Sequence, residues 1–598
     1  MKRYLAAAAA ALFLGTGLLL NGCQAIPEDI LPSLSRPASA ENSQTLFEEL
    51  TGDIFRENAA SSILDRHYLM AEPENFNLSK PESLYGNGDL EGLQKSSDAI
   101  AGYLDRLNAI DPGSLSSEDQ LDYQILKAYL ETESTCQGLE LYTQPLAPTI
   151  GVQAQLPILL AEYEFYREED IDDYFSLLEG LGAYFDQILS LEQEKASQGL
   201  MMSDDAIDRV LDSCEPYLDS SENCVLAGTF SERLDRLNGL DSAKKENYVR
   251  RHEELIRTAF VPAYEKLMEG LSGLKGSGKV QGGLCRYPDG REYYRYLVYS
   301  STYTSCRDVT TLRKTIERRI ERDFRELASI VTRRQDLLDS LPDVSFAFTE
   351  PHEILRHLME QTALSYPAPI CEDYTIRYVP KALEPVLSPA FYLTPPIDRD
   401  GSNTIYINQG SASSGQDHLF TTLAHEGYPG HLYQTTYFLS TDPSPFRHLL
   451  SFGAYTEGWA TYVEMESYQM DESLDQDLAR LLALNSSITL GLHAYIDIMV
   501  NDQGWDISQI HNFITSYYDD PDQEFSAALY EAMVDNPSNY LEYYVGYLEF
   551  SDMREKAEEA LGEAFDLMEF HRFLLDTGPA PFSVLRKGLE RWIQEQDA

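Results

Sequence analysis

Apolar residues recur at three- and four-residue intervals through most of this 598-residue chain, and the pattern gives way to alternation in one short region. TLFEELTGDIFRENA, IDDYFSLLEGLGAYFDQILSLEQEKA, ENYVRRHEELIRTAFVPAYEKLMEGL and TTLRKTIERRIERDFRELASIVTRRQDLLDSL each put an apolar stripe on one helical face. DYTIRYVP, AFYLTPP and NTIYINQG alternate apolar with polar positions between turn residues, as short strands do. The pattern predicts a mainly α protein with one small sheet placed just before the segment LAHEGYPGHLYQ. A chain of this length, 43% hydrophobic with 39 Tyr and 24 Phe, has ample material for a large core.

The first residues, MKRYLAAAAAALFLGTGLLLNGC, follow the layout of an export signal: Lys2 and Arg3, an apolar run, then a cysteine. The ending Leu20-Asn21-Gly22-Cys23 resembles a bacterial lipobox, which implies removal of residues 1–22 and lipidation of Cys23. Residues 23–45, rich in Pro, Ser and Ala, read as a tether holding the protein to the outer face of a membrane. No later segment reads as long and apolar enough to cross a bilayer. The formal charge of −52, from 46 basic and 98 acidic side chains, repels phosphate backbones and disfavours nucleic-acid binding. In an exported protein the six remaining cysteines permit disulfides. Cys214 and Cys224, flanking a short acidic loop, form the first candidate pair, and Cys285 with Cys306 a weaker one.

GLSGLKGSGKVQGG interrupts the helical pattern and reads as a flexible connection between a helical lobe, residues 46–275, and a second lobe, residues 276–598. Gly273 to Lys279 satisfies G-x-x-x-x-G-K. Val280 stands where a phosphate-cradling loop needs Ser or Thr, however, and a helix rather than a strand precedes it, so nucleotide binding is not expected.

His425-Glu426 opens like the zinc-protease signature H-E-x-x-H, in which two histidines one turn apart hold the metal and the glutamate acts as general base. Here the position four after His425 is Pro429, and the next histidine, His431, lies about 120° away on a regular helix. Pro429-Gly430 supplies the means to break that helix, because proline removes a donor and glycine permits unusual torsions. His418 is no substitute, since seven residues put it roughly 10 Å along the axis from His425. Glu457, in the predicted helix SFGAYTEGWATYVEME, is a third ligand candidate. Its neighbours Ala454, Tyr455, Trp459 and Ala460 are apolar, so its charge needs a partner.

HEGYPGH followed by AYTEGWATYVE resembles a large, poorly characterised family of bacterial proteins bearing H-E-x-x-P-G-H and E-G-W-A. The likeness continues through SNYLEYYVG to LGEAFDLMEFHRFLLDTGPAPFSVLRKGLERWI and reaches back to YPDGREYY and FYLTPPID. That family is distantly similar to the gluzincin metallopeptidases, the group of thimet oligopeptidase and the thermostable carboxypeptidases. The resemblance implies a two-lobed helical zincin with a small antiparallel sheet lining the cleft. It implies Zn2+ held by His425, His431 and Glu457, with Glu426 as base. IYINQG would be the edge strand along which a peptide lies. Tyr543 or His493 would steady the developing oxyanion, with Tyr544 an adjacent alternative to Tyr543. Asn485 and Thr489 depart from the family's more usual Arg and Asp. His571 reads as structural.

The function expected is therefore a membrane-tethered zinc peptidase. Two alternatives stand beside it: a zinc hydrolase of another amide or ester, such as cell-wall material, and a peptide-binding lipoprotein with an inactive metal site.

Overall fold

A computed structural model describes residues 40–219, 224–340, 344–381, 384, 387–399, 403–410, 416–518 and 522–596. Cys23 and the signal region lie outside the described residues. The chain is mainly helical. Its site-forming parts are helices α1 (Ala40–Ala59), α2 (Leu90–Asn108), α3 (Ser117–Glu133), α4 (Glu169–Gln198) and α5 (Val309–Arg333), then strands β1 (Thr375–Tyr378), β2 (Ala390–Leu393) and β3 (Thr404–Ile407). Helices α6 (Gln416–Glu426), α7 (His431–Ser440), α8 (Gly453–Ser467), α9 (Gln476–Asn501) and α10 (Asn539–Leu561) follow. Helix α1 begins inside the stretch read as tether, because ENSQTLFEEL already carries a helical stripe that buries Phe47 and Leu50.

Local chemistry sets the boundaries. Asp308 caps α5 by accepting from the Thr311 N–H, and Asp475 caps α9 through Asp477 and Leu478. Helix α4 ends at Gly199, whose φ of 75° is the left-handed conformation glycine adopts at no steric cost.

Two hydrophobic cores cross the expected division at residue 275. The larger joins α1, α2 and α3 to α5 to α10 and on to the C-terminal helix. The smaller is built from residues 63–271, including α4, and also takes in Val379, Leu387, Phe391 and Tyr406 around the sheet. Alternation along the strands explains how the sheet serves both: Ala390, Tyr392, Ile405 and Ile407 face the larger core, Phe391 and Tyr406 the smaller.

The strand order is β1-β3-β2, with β3 parallel to β1 and antiparallel to β2. The sheet is thus mixed rather than antiparallel, and the IYINQG strand is its centre rather than its edge. All four residues of β3 are buried, as a strand paired on both sides requires.

The glycine-rich connection after residue 272 is seated rather than loose. A Cβ on Gly278 would lie 2.3 Å from the Met202 carbonyl oxygen, and one on Gly283 2.4 Å from that of Val500. Cys214 and Cys224 are buried free thiols in one core, so the expected bridge is not formed, and Cys285 and Cys306 are free as well. Among the described residues α9 is the one helix long and apolar enough to cross a membrane. It is instead a core helix, buried along most of its length.

Candidate metal centre

Helix α6 stops at Glu426 and α7 starts at His431, so the two histidines belong to different helices. Between them lies the Tyr428–Pro429 bond, which is cis, and then Gly430. Only a residue without a side chain fits there: a Cβ on Gly430 would lie 1.7 Å from the His425 carbonyl oxygen. The Trp459 indole N–H donates to the Pro429 carbonyl at 2.9 Å, which pins the break to α8. The expected interruption of the helix is what returns His431 to His425. Their rings stand 4.8 Å apart and nearly perpendicular.

Glu457 projects between them from α8. Its Oε2 is 3.4 Å from His425 Nε2 and its Oε1 3.2 Å from His431 Nε2. One ligand atom from each of the three residues lies within 4.8 Å of the others. Nitrogen and oxygen ligands of a tetrahedral zinc, each about 2.0–2.1 Å from the ion, stand about 3.3–3.4 Å from one another. Two imidazoles and a carboxylate at these separations fit a divalent transition metal such as Zn2+.

The electrostatics fit as well. Burial works to raise the Glu457 carboxyl, but His431 and His425 overcome it and hold the group down to about 2. Burial pulls His425 the other way, and hydrogen bonding to Glu457 and Glu464 outweighs it, leaving the imidazole well above its ordinary range. This concentration of negative charge around two imidazoles is an environment a cation would neutralise.

Glu426 lies beside the cluster and takes no part in it. Its Oε2 accepts from the Tyr392 backbone N–H of β2 at 2.9 Å. Burial, the largest influence, raises its carboxyl above the ordinary range. Glu464, which inspection of the sequence missed, accepts from His425 Nδ1 at 3.0 Å. It follows Glu457 by seven residues, two turns along the same face of α8, and that spacing was the available signal.

Tyr543 reaches the site from α10. Its ring lies 6.4 Å from that of His425, and burial together with Glu457, Glu542 and Glu426 pushes its phenol well above the ordinary range. Tyr544 points elsewhere, its hydroxyl against Gly491 of α9. Helices α8 and α10 approach closely because glycine meets glycine: a Cβ on Gly458 would lie 2.3 Å from the Gly546 Cα.

His493 is not gathered into the cluster. Its Nδ1 donates to the Thr489 carbonyl at 2.7 Å, its ring packs 4.8 Å from that of Tyr540, and burial lowers its pKa. Thr489 itself faces the Tyr518 hydroxyl at 3.3 Å. His571 is a core residue, stacked 4.0 Å from Tyr366 and bonded to Ser365 and Tyr462.

Comparison with known proteins gives a family and a fold. The family described as "Bacterial protein of unknown function (DUF885)" matches residues 79–589. No curated protein matches the chain. The crystal structure of a candidate lipoprotein from Colwellia psychrerythraea superposes with a TM-score of 0.77 at 17% identity, covering 94% of this chain and 100% of that one. A candidate lipoprotein of unknown function from Shewanella oneidensis gives 0.59 at 16% identity, over 92% and 99%. A candidate oligoendopeptidase F from Bacillus anthracis str. Ames gives 0.33 at 11% identity, over 86% and 99%, which is too low to show a common fold.

Proposed function

The chain belongs to the bacterial DUF885 family, and for this member we propose a metal-dependent peptidase, exported and held at the membrane by a lipid on Cys23. The observation that carries the reading is the convergence of His425, His431 and Glu457 on one point with the unligated Glu426 beside it. A divalent ion such as Zn2+, held by those three side chains, supplies Lewis acidity to the scissile carbonyl and to the attacking water.

The protein's own groups do the rest. Glu426 takes a proton from the water as its oxygen bonds to the carbonyl carbon, and gives that proton to the amine as the C–N bond breaks. Its raised pKa suits a group that must both accept and release a proton. The Tyr543 phenol, kept protonated, donates to the developing oxyanion. His493, bound to its own helix and packed on Tyr540, has no part in this scheme.

Substrate backbone is expected along β2. Within a strand the N–H and C=O of one residue point to the same side. The Tyr392 N–H meets Glu426, so the Tyr392 carbonyl turns to that same side and would offer an acceptor to an extended peptide. Peptide is the expected partner, and nucleic acid is not, given the charge of −52.

The test is metal analysis of the purified protein with a peptide-library digestion read by mass spectrometry, beside His425→Ala and Glu426→Gln. Protein that takes up no divalent ion, or loaded protein that cleaves no peptide, would overturn the reading.

A further inference from the structure

Glu542 precedes Tyr543 on α10, and the chemistry above leaves it unused. Its carboxylate is seated against Gly453, the first residue of α8. A Cβ built on Gly453 would lie 2.6 Å from Cδ and Oε2 and 2.9 Å from Oε1. Gly453 and Glu457 are four residues apart, on one face of α8. The Glu542 carboxylate is therefore seated at a position on α8 about 6 Å along the helix axis from that of the residue that would ligate the metal.

Other acidic groups enclosed in this protein have partners. Asp122 pairs with Arg447 at 2.7 Å and Asp323 with Arg319 at 2.9 Å. Glu549 accepts from Thr304 and Ser305 and pairs with Arg586. Around Glu542 the influences are burial and the negative charge of Glu457, and both oppose its ionised form. Among the described residues no arginine, lysine or hydrogen-bond donor compensates it. A half-buried carboxyl kept without a counter-charge is costly for the fold alone, and here it stands beside a catalytic cluster.

We propose that Glu542 is the specificity-determining residue of the cleft, receiving a cationic group of the substrate close to the scissile bond. The proposal rests on the peptidase reading. An extended peptide advances about 3.3–3.6 Å per residue. A cation about 6 Å along α8 from Glu457 thus belongs to one of the two residues next to the scissile carbonyl. An ammonium supplies that chemistry, either as the peptide's free N-terminus or as a lysine side chain. Its positive charge replaces the counter-ion the fold omits, and a neutral peptide leaves the carboxyl unpaired.

The experiment compares kcat/KM of the metal-loaded enzyme on matched short peptides: free against acetylated N-terminus, and lysine against norleucine beside the cleaved bond. Wild type is expected to favour one cationic member by about tenfold or more, equivalent to about 1.4 kcal/mol. The arm that responds identifies the source of the ammonium. Glu542→Gln is expected to bring that ratio close to one. Gly453→Ala keeps the charge but displaces the carboxylate by its methyl group, and is expected to reduce the same ratio. Wild type without a preference, or a preference that survives Glu542→Gln, overturns the proposal. So does a Glu542→Gln protein that loses only thermal stability, since that marks a carboxylate serving the α8 N-terminus. An absence of turnover on every peptide overturns the peptidase reading together with this one, whereas turnover without discrimination overturns this one alone.

Discussion

Oε2 of Glu464 lies 3.0 Å from Nδ1 of His425, on the side of the imidazole opposite Glu457. That contact makes Nδ1 the protonated nitrogen and leaves Nε2 as the atom turned toward the centre. Such outer carboxylates orient the ring and raise its basicity, and losing one typically costs about 10–100-fold in metal affinity. Glu464→Ala is therefore expected to weaken zinc binding by about that factor. Competition against a chromophoric chelator measures it. Affinity equal to wild type would show that the α8 carboxylate has no hold on the ring.

Glu426 and the ligands are expected to separate chemistry from binding. Glu426→Gln keeps the shape and the hydrogen bond from Tyr392 but removes the proposed base. It should retain full metal content while kcat on a peptide falls by about 10²–10⁴. His431→Ala and Glu457→Ala should lose metal and activity together. Tyr543→Phe should lower kcat by about 10²–10³ with little change in KM, the pattern of a group that acts only as charge develops. Metal analysis and steady-state kinetics on the same preparations distinguish the three classes.

The parts of this site readable in the sequence were those with a local physical signature. His425, Glu426 and His431 share one short segment, and Pro429-Gly430 announces a break in the helix that carries them. Glu457 was legible because a carboxylate amid Ala454, Trp459 and Ala460 needs a partner. The three strands were legible as alternation. Their order was not, because pairing is decided by residues distant in sequence. TIYI is buried at every position, as a central strand is, and its alternating sequence does not announce that. The lobe boundary misled for a related reason: an apolar stripe shows that a helix is buried without naming its partner, and α1, α2 and α3 chose the C-terminal core. Glu464 and Glu542 were hidden among 98 acidic residues until the helices carrying them were packed together.

The glycine contact between α8 and α10 sets the spacing of the site. A Cβ on Gly546 would lie 2.0 Å from the Ala454 carbonyl oxygen, a backbone atom that cannot swing aside. Gly546→Ala must push α10 away from α8, and with it Tyr543 from Glu457. Overpacking of this kind costs typically about 1–3 kcal/mol. Denaturant unfolding should register the loss, and kcat should fall too. Gly102→Ala, in α2 with nothing within 4 Å of the new methyl, is the control. It is expected to gain about 0.5–1 kcal/mol from helix propensity alone.

Asp497 makes a prediction about acid and base that is independent of any metal. It is fully buried on α9, accepts from the Tyr294 hydroxyl at 2.5 Å and from the Ser538 N–H at 2.9 Å, and among the described residues pairs with no cation. Burial, the dominant influence, raises its carboxyl from 3.8 to about 7, against smaller opposing effects of Tyr294, Ser538 and Asn501. The folded protein therefore holds this proton between about pH 4 and 7 where the unfolded chain has released it. Stability from this group is greatest below pH 4 and declines as pH rises to about 7, by an amount on the order of 4 kcal/mol at 1.36 kcal/mol per unit. Above pH 7 both states are ionised and the penalty is constant. Asp497→Asn puts a neutral carboxamide in place of the protonated carboxyl, with its oxygen to accept from the Ser538 N–H and its amino group to donate to the Tyr294 hydroxyl, and cannot ionise. The difference in unfolding free energy between variant and wild type should accordingly be small near pH 4 and grow in the variant's favour toward pH 7–8. Urea unfolding at a series of pH values measures that difference directly. A difference that stays flat from pH 4 to pH 8 would mean that the carboxyl is ionised in the fold throughout and that Tyr294 and Ser538 alone suffice to hold it.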